Sequence, residues 1–393
     1  MITALSQGPR TDLSACRVLV VEDAPAIRKI IGAYLQAAGI LHVDFACDGV
    51  EGLTKVESFD PDLVILDIMM PEMDGFEVAR SLRADPRHRH LPILVQTALE
   101  SPAERTEVFR AGANDLITKP IHGPELVARV RVQLENRLLI RDLENYRRHI
   151  QTDLELARKM QEDLLPSPKV LEAIHAETGL SIAAHFQPSA ELGGDMWHLR
   201  DLGQGRYAII LVDFAGHGIT AALNTFRLHT LTHQQTLRNL DKPSEYLYQL
   251  NDLLVDLLPS NQFATLFLGV VDTVRETLTW SGAGAPMPIY GVGEQMVYLE
   301  ADGLPMGISR KGQYRDQQVP FPKGAFLLLY SDALTETPDE RGMMLNDEQL
   351  LAMAAAAHAD QFADRPLTSL LDLFRQNRRQ PTDDLTLLWL SRG

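Results

Sequence analysis

Short apolar runs alternate with amphipathic stretches through residues 16–123. Segments 16–21, 62–66, 91–96 and 115–118 read as buried strands, and 43–46 fits between the first two. The stretch 26–38 has helical periodicity and stops at Gly39, a residue suited to a helix C-cap. Further helices are expected from Phe76 and over 102–111. Strands alternating with helices predict an α/β doubly wound sheet of five parallel strands.

From Pro124 the pattern changes to a long charged segment with no interior Gly or Pro before Pro166. Leu143, Tyr146, Ile150, Ala157, Met160 and Leu164 recur at a/d-like spacing, with Asp153 interrupting one d position beside Leu154. This seam predicts a helical, coiled-coil connector over 124–166 and a homodimer; one amphipathic helix lying on its own domains is the other reading.

Beyond it, strand-like runs occupy 181–186, 207–212, 263–272, 277–280, 289–292, 325–330 and 385–390. Helical stretches at 218–237, 244–258, 347–357 and 367–375 separate them. Strand groups divided by helix pairs predict an α+β sandwich with helices outside, over 167–393. The chain is thus expected to hold two domains, 16–123 and 167–393, and the connector.

The strand ends carry the chemistry. In the first domain Glu22 and Asp23 end the first strand, Asp67 the third, Thr97 the fourth, and Lys119 follows the fifth. In doubly wound sheets ligands bind outside the carboxyl ends of strands. Converging carboxylates need a cation, and Mg²⁺ with oxygen ligands suits them. Asp67 then serves as a nucleophile toward phosphorus, with Lys119 and the metal stabilising the phosphoryl oxygens. In the second domain Asp195, Asp213, Asp332 and the pair Asp383–Asp384 stand at strand ends, with glycines beside Asp195 and near Asp213. Singly, each fits a turn, and His217 between glycines fits a loop. As an ordered set they suit a pair of Mg²⁺ or Mn²⁺ ions that would activate water and clamp a phosphate.

Composition narrows the possibilities. The formal net charge of −16 argues against a nucleic-acid-binding surface. No run approaches a membrane span, and the polar start of the chain lacks a signal-peptide core, so a reducing cytoplasm is the expected location. Cys16 and Cys47 are both expected to be buried free thiols.

The quoted residues carry two family resemblances. Val20–Asp23, Leu66–Gly75, Gln96–Ala98 and Gly112–Pro120 resemble a two-component receiver domain. That resemblance implies that Asp67 is the phosphoacceptor, that Glu22, Asp23, Asp67 and the Met69 carbonyl hold Mg²⁺, and that Thr97 and Lys119 contact the phosphoryl group. It also implies a cognate histidine kinase. The usual aromatic switch residue is Leu116 here. The second half, from Leu156–Pro166 through Leu192–Asp195, Asp213–Gly218, Phe263–Phe267, Gly303–Gly307, Ser331–Asp332 and Asp383–Leu388, resembles the bacterial PPM serine/threonine phosphatases of the sporulation and sigma-factor-regulator type. It implies that Asp195, Asp213, the Phe214 carbonyl, Asp332 and Asp383 surround the metals, with Asp384 a neighbour or further ligand. The substrate class it implies is a phosphoserine or phosphothreonine protein, such as an anti-sigma-factor antagonist. Departures occur at His198, Ala285 and Ala333. The reading is a response regulator whose Asp67 phosphorylation controls a metal-dependent phosphatase. Its rival is an inactive phosphatase-like adaptor that binds or sequesters a partner.

Overall fold

The structure is a computed structural model that describes residues 12–98, 102–216, 218–233, 239–259, 261–359 and 366–393. The chain divides into two compact units, 1–150 and 151–393.

The first unit runs β1 (Arg17–Val21), α1 (Pro25–Ala37), β2 (His42–Ala46), α2 (Gly49–Phe59), β3 (Leu63–Asp67), α3 (Gly75–Ala84), β4 (Ile93–Thr97), α4 (Pro102–Arg110), β5 (Asp115–Thr118) and into α5 (Gly123–Glu162). Its strands pair in parallel in the order β2-β1-β3-β4-β5, the doubly wound arrangement expected. Every residue of β3 and β4 is buried, which explains their continuous apolar character: helices cover both faces. Asp74 starts α3 with a capping box, its side chain accepting from Glu77 N and that of Glu77 from Asp74 N.

Two expectations need correction. Placing the connector's start at Pro124 separates from this unit residues that belong to its core: Leu126, Val130 and Leu134 of α5 are fully buried beside Val18, Val20 and Ile31. The rise in charge along α5 hid an apolar stripe that packs on the sheet. Cys47 is exposed, unlike the buried Cys16, because it lies past the end of β2 and before α2 rather than within a strand.

Farther along, α5 shows its apolar positions to solvent. Leu139, Leu143, Tyr146, Leu156 and Met160 are all more than half exposed, while Ile150 is only just exposed. No described helix is long and apolar enough to cross a membrane.

The second unit continues with α6 (Pro168–Thr178), β6 (Leu180–Gln187), β7 (Asp195–Gly203), β8 (Arg206–Phe214), α7 (Ile219–His233), α8 (Pro243–Leu257), β9 (Ala264–Asp272), β10 (Thr277–Ala283), β11 (Ile289–Val292), β12 (Gln295–Tyr298), β13 (Gln317–Pro320), β14 (Ala325–Tyr330), α9 (Ala333–Glu336), α10 (Asp347–Ala359), α11 (Pro366–Asn377) and β15 (Leu385–Arg392). The helix expected over 218–237 ends, among described residues, at His233; the rest of that span lies outside them. The described strands form antiparallel sheets ordered β13-β10-β9-β8-β7 and β12-β11-β14-β15-β6. Strand parity assigns the layers. Tyr207, Ile209 and Leu211 of β8 join Leu327, Leu329 and Leu388 between the sheets, whereas Ala208, Ile210 and Val212 meet Leu247 and Leu250 of α8. Phe326, Leu328 and Trp389 meet Leu350 and Leu370 of α10 and α11 on the far side. The result is the helix-flanked sandwich expected.

Phe326 is fully buried and stacks on Trp389, with centroids 4.6 Å apart and planes 9° from parallel. Phe326→Ala is expected to lower the unfolding free energy of the second unit by about 3–5 kcal/mol through transfer and cavity terms. Urea denaturation followed by tryptophan fluorescence measures this, and an unchanged midpoint would show that the stack contributes nothing.

Candidate functional site

In the first unit, the ends of β1, β3 and β5 bring together residues far apart in sequence. Lys119 Nζ donates to Asp67 Oδ2 at 2.7 Å and to Glu22 Oε2 at 3.0 Å. Oxygens of Glu22, Asp23 and Asp67 all lie within 4.8 Å of one another. Glu22 is fully buried, and burial raises its pKa although Lys119 opposes the shift. For Lys119 burial pulls the pKa down, but its bonds to Asp67 and Glu22 outweigh that and the net shift is upward. Carboxylates outnumber the one lysine they share, so the donor set fits a hard divalent cation. Met69 N–H donates weakly to Asp67 Oδ1 at 3.4 Å, which places the Met69 peptide at the site. Gly75 is required just behind it, because a Cβ there would stand 2.2 Å from the Asp67 carbonyl oxygen. Thr97 is buried at the end of β4, its carbonyl accepting from Lys119 N at 2.8 Å. Leu116 packs half-buried against the core beneath.

In the second unit, Asp195 and Asp213 face each other in the β7–β8 register. By parity they share the inner face with Trp197 and Leu211. Asp332 follows β14, and Asp383 and Asp384 precede β15. Asp332 stands at the N-cap of α9, yet its side chain caps nothing. Asp195 is buried, and its Oδ2 accepts from Thr386 Oγ1 at 2.6 Å across the two sheets, while its Oδ1 has no hydrogen-bond partner. Burial first, and then the charge of Asp213, drive the Asp195 pKa well above the usual carboxylate range. Burial, Asp332 and Asp383 push Asp213 up to about 7. Burial, Glu336 and Asp383 push Asp332 up to about 6. Buried carboxylates that repel one another, one with an orphaned oxygen, fit divalent cations. Among the described residues no three of these acids converge as tightly as the trio at Asp67. The set is spread over neighbouring strand ends.

The other expected residues divide by position. Asp384 accepts from Ser189 N at 2.6 Å and from Gly194 N, so its buried carboxylate clasps the loop before Asp195. Gly194 is needed there, since a Cβ would meet the Phe214 carbonyl at 3.0 Å. His198 lies on the opposite face of β7 from Asp195, edge-on to His229 of α7 at 5.5 Å, and does not join the acids. Ala285 packs against the inter-sheet core, and Ala333 is buried at the start of α9. His217 lies outside the described residues.

One residue that carried no role in the sequence reading proves central. Gln161, buried near the end of α5, donates from Nε2 to Gly193 O at 2.6 Å and to Thr225 Oγ1 at 3.1 Å, and its Oε1 accepts from Gly193 N at 3.1 Å. It therefore grips the peptide two residues before Asp195 and a side chain of α7 at once. In the sequence it stands only within the Leu156–Pro166 motif, with no role of its own assigned.

Comparison with known proteins assigns both units. Residues 18–131 match the family model of the response regulator receiver domain, and 203–393 that of Stage II sporulation protein E. Over 118 residues the chain is 40% identical to the DNA-binding dual master transcriptional regulator RpaA of a Synechocystis species, covering 30% of this chain and 48% of that protein. It is 45% identical to the response regulator MprA of Mycobacterium avium over 118 residues, 30% of this chain and 50% of that one. The chain thus spans about half the length of these curated relatives. The SiaA-PP2C domain of Pseudomonas aeruginosa shares the fold, with a TM-score of 0.56 at 24% identity over 63% of this chain and 99% of that one. The chain is thus similar over 18–131 to response regulator receiver domains and over 203–393 to Stage II sporulation protein E.

The raised carboxylates predict how pH and metal act together. Asp213 and Asp332 have folded pKa values above the unfolded value of about 4, so protonation favours the metal-free fold and that stability is lost as pH rises through about 6 to 7. The gain in melting temperature on replacing chelator by Mn²⁺ is expected to be small near about pH 5 and to grow toward about pH 8. A gain independent of pH, read by differential scanning fluorimetry, would contradict the electrostatic picture.

Proposed function

We propose that the chain is a response regulator in which phosphorylation of Asp67 controls hydrolysis of phosphoserine or phosphothreonine on a small regulatory protein. The observation that carries the hydrolytic half is the set of raised, mutually repelling carboxylates at the facing sheet ends. Asp195, Asp213, Asp332, Asp383 and the Phe214 carbonyl are the groups that would hold two Mn²⁺ or Mg²⁺ ions. When bound, such ions supply an activated water and neutralise phosphate charge. The protein's own share is positional. Asp384 and Gln161 fix the Gly193–Asp195 loop, and Thr386 orients the Asp195 carboxylate. An anti-sigma-factor antagonist is the proposed substrate class.

In the receiver, Asp67 is the proposed phosphoacceptor. Glu22, Asp23, Asp67 and the Met69 carbonyl are the groups for Mg²⁺, and Thr97 and Lys119 the groups that receive the phosphoryl oxygens, with a histidine kinase as donor. Lys119 already bonds Asp67, so an arriving phosphoryl group finds its counter-charge in place. The exposed stripe of α5 supports a homodimer joined along that helix. The free thiols and the acidic charge accord with a cytoplasmic protein that binds no nucleic acid.

Hydrolysis is tested with a phosphoserine peptide and Mn²⁺. Asp213→Asn and Asp332→Asn are each expected to lower kcat by at least about a hundredfold, because each weakens the charge that holds the ions. Full turnover in either variant overturns the site, and binding without turnover in the unaltered protein would establish the adaptor reading instead.

Control is tested by treating the protein with acetyl phosphate and Mg²⁺. Asp67 is expected to acquire an alkali-labile phosphoryl group and phosphatase activity to change, by about tenfold for a coupling of about 1.4 kcal/mol. Asp67→Asn should lose both effects. A run of glycines inserted after Asn145 should preserve phosphorylation and turnover while abolishing the response. A full response in that insertion variant would exclude transmission through the helix.

A further inference from the structure

In a chain of net charge −16, the second unit carries a groove of opposite sign. It encloses about 310 Å³ and is lined by Gln187, Arg375, Arg378, Arg379, Gln380 and Leu385 among others. The groove lies on the outer, α11 face of the sheet whose end carries Asp384. Leu385 follows Asp384 in the chain and pairs in register with Gln187. Gln187 in turn lies two residues before Ser189, whose N–H donates to Asp384.

The arginines are held without being neutralised. Arg378 donates to the Met343 carbonyl, and Arg379 Nη2 to the Glu340 carbonyl at 3.1 Å. Among the described residues, neither these two nor Arg375 forms an ion pair with a carboxylate. The acid nearest in effect to Arg378 is Asp339, whose Oδ1 already accepts from the main-chain N–H groups of Arg341 and Met343, each at 2.8 Å. Guanidinium groups that are held by main-chain carbonyls and partly or fully exposed to solvent keep N–H donors free for an anionic ligand. They match carboxylates through paired N–H donors.

We propose that this groove docks an acidic segment of the phosphoprotein substrate next to its phosphorylated residue. The proposal rests on the hydrolytic reading of the neighbouring carboxylates and specifies which substrates that site favours. An acidic polypeptide would otherwise be repelled by this chain's overall charge; the arginines reverse the sign locally, where the phosphorylated residue must enter. Gln187 and Gln380 add amide groups that can both donate to and accept from a polypeptide main chain.

The test uses the full chain and two labelled phosphoserine peptides, one flanked by glutamates and one by glutamines. Binding is measured by fluorescence anisotropy in chelator, so that the ester persists. The unaltered protein should prefer the glutamate peptide by about tenfold at low salt, with the preference fading as salt is raised. Combined Arg375→Glu and Arg379→Glu should abolish that preference. Undiminished binding of the glutamine-flanked peptide by the variant shows that the fold and the carboxylate site persist, so the lost preference reports on the arginines. No preference in the unaltered protein, or an undiminished one in the variant, overturns the proposal. Release of phosphate with Mn²⁺ is followed separately. If neither peptide is hydrolysed while the arginine-dependent preference persists, the docking groove stands and the hydrolytic reading falls.

Discussion

Like charges held at close quarters are the constraint on which the second unit is built. Asp195, Asp213 and Asp332 would repel one another apart if they stood on loops. Instead Asp195 and Asp213 lie within β7 and β8, and Asp332 stands in the short turn between β14 and α9, next to strands locked into a core between two sheets. The hydrogen bond from Thr386 to Asp195 crosses from one sheet to the other at the point of greatest repulsion. The hydrophobic sandwich thus supplies the stability that the site removes, and the helices on its outer faces keep both sheets from splaying.

The receiver solves a related problem differently. There a single lysine sits between Asp67 and the buried Glu22, and short parallel strands bring all partners to one edge. The chemistry differs accordingly. On the proposed reading one carboxylate accepts a phosphoryl group, which asks for a local charge that is balanced by the lysine. In the second unit Asp195 and Asp384 are buried as Glu22 and Asp67 are, while Asp213, Asp332 and Asp383 are half-buried.

Much of this was legible in the sequence because strand ends leave a clear mark. An apolar run that stops at an acid, as at Leu66–Asp67 or Val212–Asp213, announces both a buried strand and what stands at its mouth. What escaped notice has a common physical cause. Strands β7, β12 and β13 are all edge strands, with polar residues along much of their length, and so lack the continuous apolar signal of β8 or β14. Gln161 was hidden for the opposite reason: it is a polar residue whose partners are backbone atoms of a distant loop, and no local pattern encodes such a contact. The start of α5 was assigned to a connector because its charged face dominates the composition, although Leu126, Val130 and Leu134 lie in the core.

The same helix has a consequence for how this protein can evolve. It is anchored at Leu134 in one core and at Gln161 on the aspartate loop, with no break in its hydrogen bonding between them. Each inserted residue turns a helix by about 100° and lengthens it by about 1.5 Å. A surface loop absorbs an insertion by bulging, but this segment would carry the phase error to its far end. Substitutions along its exposed middle leave that phase unchanged, while each insertion or deletion there shifts it.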